Sequence, residues 1–214
     1  MTVTAVVLAG GRSSRFGGDK LAADLGGTSV LAATIEALAS VADEVIVAGP
    51  GLPGDVFDGP VALVVDRAPF DGPLAALANV LEPLRPDPRD VGIVVGGDMP
   101  RLVPAVLVTM LDHLDGDPSL DAVLLGRPSG SSASGASGAS NARRRQVLPL
   151  VIRLYAGRAA ALRAVEDGDR SLQALVDRLP HIELPAAEWL ALDPGAATLT
   201  DIDTRADLDR LNAP

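Results

Sequence analysis

The run Leu8-Ala9-Gly10-Gly11-Arg12-Ser13-Ser14-Arg15-Phe16-Gly17-Gly18-Asp19-Lys20 combines four glycines and two serines with three cations. A glycine-rich loop can turn its backbone N–H groups toward one anion, and Arg12, Arg15 and Lys20 add full positive charge. Clustered N–H dipoles plus cations are what a polyphosphate requires. Two common phosphate loops are excluded by spacing. A Walker A loop needs Gly-Lys-[Ser/Thr], whereas Asp19 precedes Lys20 here. The dinucleotide fingerprint G-x-G-x-x-G fails because no matching third glycine follows Gly10-Gly11.

Three carboxylates stand where an apolar run ends or a helix begins. Asp98 follows the run 91–95 (VGIVV) and Gly96-Gly97. A carboxylate leaving the end of a buried strand, opposite a bound triphosphate, is placed to hold Mg²⁺; the plainer reading is a turn Asp ahead of Met99-Pro100. Asp66 follows the apolar run 61–65 in the same way. Asp203 stands just before a helical pattern over 205–211, where either Asp203 or Thr204 suits the N-cap.

The elements that must position these groups are legible from periodicity. Strands are expected at 3–9, 44–48, 61–65, 91–95, 122–125 and 147–154, with a short strand-like run at 198–203. Helices are expected at 30–40 behind Thr28 and Ser29, at 74–84 behind Pro73, and at 104–114, 159–165, 172–179 and 205–211. Alternation of this kind implies βαβ units: a three-layer α/β/α, Rossmann-like domain with a mostly parallel sheet. Ligands of such sheets bind beyond the carboxyl ends of the strands. Residues 1–214 read as one domain. The Ser/Gly tract at 129–140, within a span of about 129–142, is expected to be a flexible loop of it. Arg143-Arg144-Arg145 follows at once; it suits an acceptor phosphate, although a solvated basic turn is the plainer reading.

Composition narrows the chemistry. The formal net charge is −10 and aromatics make up 2% of the chain. Neither suits nucleic acid or an anionic membrane surface, which call for a basic face and, for single strands, stacking rings. There is no Cys, and the only histidines are His113 and His181. Disulfides and Cys- or multi-His-ligated metals are excluded, so any metal should be a hard, oxygen-bound cation such as Mg²⁺. Both histidines read as structural. No run of 18 or more apolar residues occurs, and the amino terminus lacks a signal-peptide pattern, so a cytoplasmic location is expected.

The loop LAGGRSSRFGGDK resembles the L-A-G-G-x-x-x-R-[MF]-G-x-x-K signature of MobA-like nucleotidyltransferases, a family that includes the molybdenum cofactor guanylyltransferases. Asp66-Arg67 with Gly72-Pro73-Leu74-Ala75 resembles that family's D…GPLAG segment. Gly97-Asp98-Met99-Pro100 resembles its Asp-containing segment, and Asp201-Ile202-Asp203-Thr204 its late N-x-N-T/S segment. The resemblance implies that Leu8, Ala9, Gly10 and Gly11 line the nucleotide and that Arg15 and Lys20 bind phosphates. It further implies that Asp66 and Gly72 lie by the nucleotide and that Asp98, completed by Asp203, holds Mg²⁺.

The implied reaction moves GMP from Mg-GTP to a molybdopterin-type acceptor, with pyrophosphate leaving. Implied partners are GTP, that acceptor, and molybdoenzymes or other proteins of cofactor biosynthesis. Two departures bear on specificity: Ala48 stands where guanylyltransferases have Asn, and Arg145-Gln146-Val147 stands where they have a His-Pro-Thr-like segment. A cytidylyltransferase on the same acceptor, a transferase acting on a sugar or alcohol phosphate, and a non-catalytic nucleotide-binding adaptor are the alternatives left open.

Overall fold

The run Val3–Leu8 forms strand β1, and all six residues are buried. Such a run suits a strand covered on both faces and paired on both edges. The computed structural model of the protein describes residues 1–10, 15–49, 61–65, 71–128 and 146–213. After β1 come a two-stranded ribbon, β2 (Asp24–Leu25) and β3 (Thr28–Ser29), then α1 (Val30–Ala39), β4 (Glu44–Gly49) and β5 (Val61–Val65). They are followed by α2 (Pro73–Leu81), β6 (Val91–Gly96), α3 (Pro104–Gly116), β7 (Ala122–Leu125) and β8 (Leu150–Arg153). The chain continues through α4 (Leu154–Glu166), α5 (Leu172–Val176), β9 (His181–Leu184), α6 (Ala186–Trp189) and α7 (Arg205–Asn212).

Seven strands make one sheet in the order β5-β4-β1-β6-β8-β7-β9. The pairs β5/β4, β4/β1, β1/β6 and β7/β9 are parallel, and only β8 runs against its two neighbours. Side chains alternate between the two faces, as a period of two requires. Ala5, Val7, Val47 and Ile93 pack on Leu31, Ile35 and Leu38 of α1 and Leu107 and Met110 of α3. Val6, Leu8, Ile46 and Val94 pack on Leu74, Leu77 and Leu81 of α2, with Ala161 of α4 and Leu175 of α5. The outcome is the expected mostly parallel sheet between helical layers.

Register decides what shares an edge. Leu8, the last residue of β1, stands opposite Ala48 on one side and Gly96 on the other. The chain therefore leaves β1, β4 and β6 at one common edge. The glycine-rich loop and the Gly97-Asp98 turn emerge side by side there, at the carboxyl ends of parallel strands.

Some local readings need correction. The strand expected over 147–154 is shorter, and Leu154 already belongs to α4, which extends beyond the expected 159–165. Arg153, the last paired residue, also holds the Leu120 and Leu114 carbonyls with its guanidinium, and the Ala- and Leu-rich stretch that follows favours helix. The run 198–203 is not a strand. A 3₁₀ turn at Ala197–Leu199 overlaps its start, fixed by Asp193 accepting from the Ala197 and Thr198 N–H groups. α5 ends at Val176, short of 179. β9 and α6 were not expected: each has only four residues, and neither HIEL nor AAEW is an unbroken apolar run like the AVLL of β7. The segment expected to be flexible at about 129–142 lies outside the described residues. No described helix is long and apolar enough to cross a membrane.

Trp189, the chain's single tryptophan, is fully buried, and its indole N–H donates to the Gly126 carbonyl at 2.9 Å. It ties α6 to the end of β7. Trp189→Phe is expected to destabilise the fold by about 1–3 kcal/mol, because the Gly126 carbonyl loses its donor and the core loses volume. Urea unfolding followed by circular dichroism checks this, and the wild-type emission should shift to the red through the same transition.

Candidate active site

The site begins where β1 and its neighbours end. Ala9 N–H donates to the Ala48 carbonyl at 2.7 Å, and Gly97 N–H donates to the Leu8 carbonyl at 3.0 Å. Each bond carries the ladder past its strand. A side chain on Gly97 would meet Leu31 at 3.2 Å and the Ala9 backbone at 3.5 Å. Glycine there lets the Asp98 turn lie against the start of the glycine-rich loop. The fully buried Thr34 of α1 has its hydroxyl 3.1 Å from the Gly97 carbonyl and 3.0 Å from the Val30 carbonyl. The turn is thereby joined to the helix beneath it.

The far end of the loop is held by its own residues. The Asp19 carboxylate accepts from the N–H groups of Leu21 at 3.0 Å and Ala22 at 3.3 Å. This Asp turn shapes the backbone around Lys20. Val30 and Leu31 N–H groups then donate to the carbonyls of Ala23 and Leu21. Phe16 is buried with Val30, Ile202 and Leu208 in a small third cluster. Loop exit, ribbon and carboxyl-terminal helix therefore share one apolar seat.

On this frame Lys20 Nζ lies 2.5 Å from Asp98 Oδ2 and 3.4 Å from Asp203 Oδ1. Arg15 Nη1 approaches Asp203 Oδ2 at 3.9 Å. Ile202 N–H donates to the Asp98 carbonyl at 3.0 Å, so the 201–203 segment is fastened to the Asp98 turn by backbone. Burial alone would lower the Lys20 pKa, but the hydrogen bond and charge of Asp98, with Asp203 behind them, outweigh it and hold the ammonium's pKa raised. Asp201 keeps solvent contact, yet crowding by protein atoms raises its carboxyl, and the charges of Asp203 and Asp98 add to the shift.

Four of the expected site residues thus come together: Arg15, Lys20, Asp98 and Asp203. Asp203 does not cap α7. Thr204 does, in a capping box in which its hydroxyl accepts from Asp207 N–H and Asp207 accepts from Thr204 N–H. The Asp203 carboxylate is left for Lys20 and Arg15. Leu8, Ala9 and Gly10 sit at the β1 edge, and no described residue comes within 4 Å of where a Gly10 side chain would begin.

Gly72 caps α2 at φ 101°, and a side chain on it would lie 2.7 Å from the Arg170 carbonyl. Backbone shape by itself calls for glycine there. Gly11, Asp66 and Arg143–145 lie outside the described residues. His113 pairs with Glu188 at 2.6 Å and His181 with the Leu179 carbonyl at 2.8 Å, both away from the Asp98 cluster.

The sequence reading passed over Asp201 and Thr34 as site neighbours. For Asp201 a signal existed: in an extended D-x-D segment, alternate side chains share a side. For Thr34 there was none, since its partner lies 63 positions on. Among the described residues, no group of three or more His, Asp or Glu is arranged to hold a metal by itself. The donors that do converge, Asp98 and Asp203, form an all-oxygen pair. That suits a hard cation taking one or two carboxylates and completing its shell with water and phosphate.

Residues 5–184 match the family model described as a MobA-like NTP transferase domain. Over its full length the chain is 30% identical to a protein of Chloroflexus aggregans named "Probable molybdenum cofactor guanylyltransferase", covering 95% of that protein. In fold it is similar to molybdopterin-guanine dinucleotide biosynthesis protein A from Archaeoglobus fulgidus, with TM-score 0.71, 18% identity and 98% and 96% of the two chains covered. A similar likeness holds to 2-C-methyl-D-erythritol 4-phosphate cytidylyltransferase from Francisella tularensis, with TM-score 0.70, 13% identity and 99% of each chain covered.

The raised Asp201 pKa has a consequence with a definite sign. A carboxyl whose folded pKa lies above its unfolded value favours the fold only while protonated, so its contribution is lost as pH rises through the folded value. Asp201→Asn is therefore expected to raise the melting temperature at pH 7. That gain should shrink as pH falls into the ordinary carboxylate range, which a pair of melting-temperature profiles will show.

Proposed function

This chain belongs to the MobA-like NTP transferase family of nucleotidyltransferases, and on that premise we propose that it moves GMP from Mg-GTP to a molybdopterin-type molybdenum cofactor, releasing pyrophosphate. One observation carries the reading to the residues: Lys20, at the end of the glycine-rich loop, is paired with Asp98 at the end of β6. The group suited to phosphate and the group suited to a hard cation are thereby in contact. The name of the Chloroflexus aggregans relative supports the choice of nucleotide and acceptor.

In the proposed reaction, a phosphate oxygen of the acceptor attacks the α-phosphorus in line. The bond from that phosphorus to the β-phosphate bridge breaks, and pyrophosphate carries the electron pair away. The protein contributes position and charge. Leu8, Ala9, Gly10 and Gly11 line the nucleotide with backbone, and Asp66 and Gly72 lie beside it. Lys20 offers three N–H donors, of which two face Asp98 and Asp203, so one remains for a phosphate oxygen. Arg15, exposed at the same edge, offsets charge growing on the leaving pyrophosphate. Asp98 and Asp203 would hold Mg²⁺, which when bound supplies a Lewis acid against the triphosphate's charge.

Ala48 sets the second reading. Its side chain is buried against the α2 layer, and its carbonyl is taken by Ala9 N–H. It presents no polar side chain to a base where guanylyltransferases present Asn. This gives a cytidylyltransferase on the same acceptor its footing, with base selection resting on other contacts.

Titrating GTP, CTP, UTP and ATP, with and without Mg²⁺, against thermal unfolding decides the base. A ligand at 100 times its Kd stabilises by about 2.7 kcal/mol, and the shift is expected with Mg-GTP alone. A shift with CTP alone would establish the second reading, and triphosphate binding with no pyrophosphate released on any acceptor would establish an adaptor. Asp98→Ala is expected to abolish pyrophosphate release while the protein stays folded, because Ile202 is held by the Asp98 backbone carbonyl rather than by its carboxylate. Near-normal release in that variant would sink the metal assignment.

A further inference from the structure

Arg205 opens α7 two residues after Asp203, and its guanidinium carbon stands 5.0 Å from the centroid of the Phe16 ring, over the face. That ring is held at 3% exposure by Val30, Ile202 and Leu208. A cation over an aromatic face is attracted by the ring quadrupole, and its in-plane N–H groups stay available. No ion pair or hydrogen bond joins the Arg205 guanidinium to a described residue. Arg153 and Arg158 are bound to backbone carbonyls, and Arg170 and Arg178 to aspartates.

Among the described residues, Arg205 Nη2 is the only atom within 4 Å of where a Gly18 side chain would begin, chain neighbours aside, and none lies that close to the same point on Gly17. The limb Gly17-Gly18 therefore borders open space among the described residues, with the Arg205 guanidinium on its edge. Close by, Lys20 and Arg15 already face Asp98 and Asp203, with the Asp201 charge interacting with the same group. Of the three cations, Arg205 is the one with neither an ion pair nor a hydrogen bond to a described residue.

Resting on the nucleotidyltransferase reading, we propose that Arg205 is a phosphate-contacting residue at the Gly17–Gly18 limb of the loop. Its planar fork suits a phosphate oxyanion. That phosphate belongs either to the leaving end of the nucleoside triphosphate or to the acceptor's phosphate monoester. In both cases the Phe16 ring pre-positions the guanidinium.

The test compares the full chain with Arg205→Ala, Arg205→Lys and Phe16→Leu. Calorimetry measures Kd for Mg-GTP, GMP and inorganic pyrophosphate, and steady-state pyrophosphate release measures KM for molybdopterin. A contact to the leaving end predicts that Arg205→Ala raises Kd for GTP and pyrophosphate about tenfold, as a lost charge-assisted hydrogen bond does, with GMP unchanged. A contact to the acceptor predicts an unchanged Kd for GTP and a KM for molybdopterin raised about tenfold. In either case Arg205→Lys should recover part of the loss, and Phe16→Leu should show part of it. Unchanged values for GTP, pyrophosphate and molybdopterin in Arg205→Ala overturn the role of Arg205 and leave the transferase reading standing. A wild-type chain that binds no triphosphate overturns both.

Discussion

The Lys20 ammonium between Asp98 and Asp203 is the interaction on which the arrangement of the site depends. Two carboxylates brought to one edge of a sheet repel each other, and half-buried charges lose hydration. Lys20 meets both costs at once, and the surrounding structure serves to bring it there. Asp19 turns the backbone around it, Thr34 and Gly97 seat the Asp98 turn, and the Ile202 N–H fastens the late segment to Asp98. The partners lie 78 and 183 positions from Lys20 in sequence. The site is thus a product of the completed fold rather than of any one loop.

Parallel strands make this convergence possible. Because β4, β1 and β6 run the same way in register, their outgoing loops must share an edge. Helices on both faces bury the strands and leave that edge as the place where polar groups meet solvent and ligand. The late 201–203 segment adds to the edge without joining the sheet. Asp193 fixes the turn before it, and the Phe16 cluster holds Ile202 beneath it. A nucleotidyl transfer asks for little more than such a frame. Its charges are set in position by hydrogen bonds made at folding, so little reorganisation is left for the moment of reaction.

How much was legible depended on how local each signal was. Runs such as Val3–Leu8 and Val91–Gly96 announce buried strands on their own, and Ser29 or Pro104 announce helix starts, because backbone and burial preferences act over a few residues. The loop from Leu8 to Lys20 stood out through glycines and cations close together, and Asp98 through its place after a strand, and the fold brings Lys20 and Asp98 into contact. The reading of 198–203 as a strand went wrong for a physical reason as well. Apolar alternation there serves to seat Ile202 in a cluster, and side-chain bonds from Asp193 set the backbone instead of a ladder.

The amino-acid sequence by itself determined the alternating elements, the mostly parallel layered architecture and the presence of a glycine- and cation-rich loop after β1 and a carboxylate after β6. These follow from residue type, spacing and period. Only the tertiary structure decided that Thr204 rather than Asp203 caps α7, that Asp203 and Asp98 share one ammonium, and that Arg205 rests on Phe16 beside Gly18. Each of those depends on which of several available partners a side chain meets across long stretches of chain. Strand register and core packing set that choice, and no local preference encodes it.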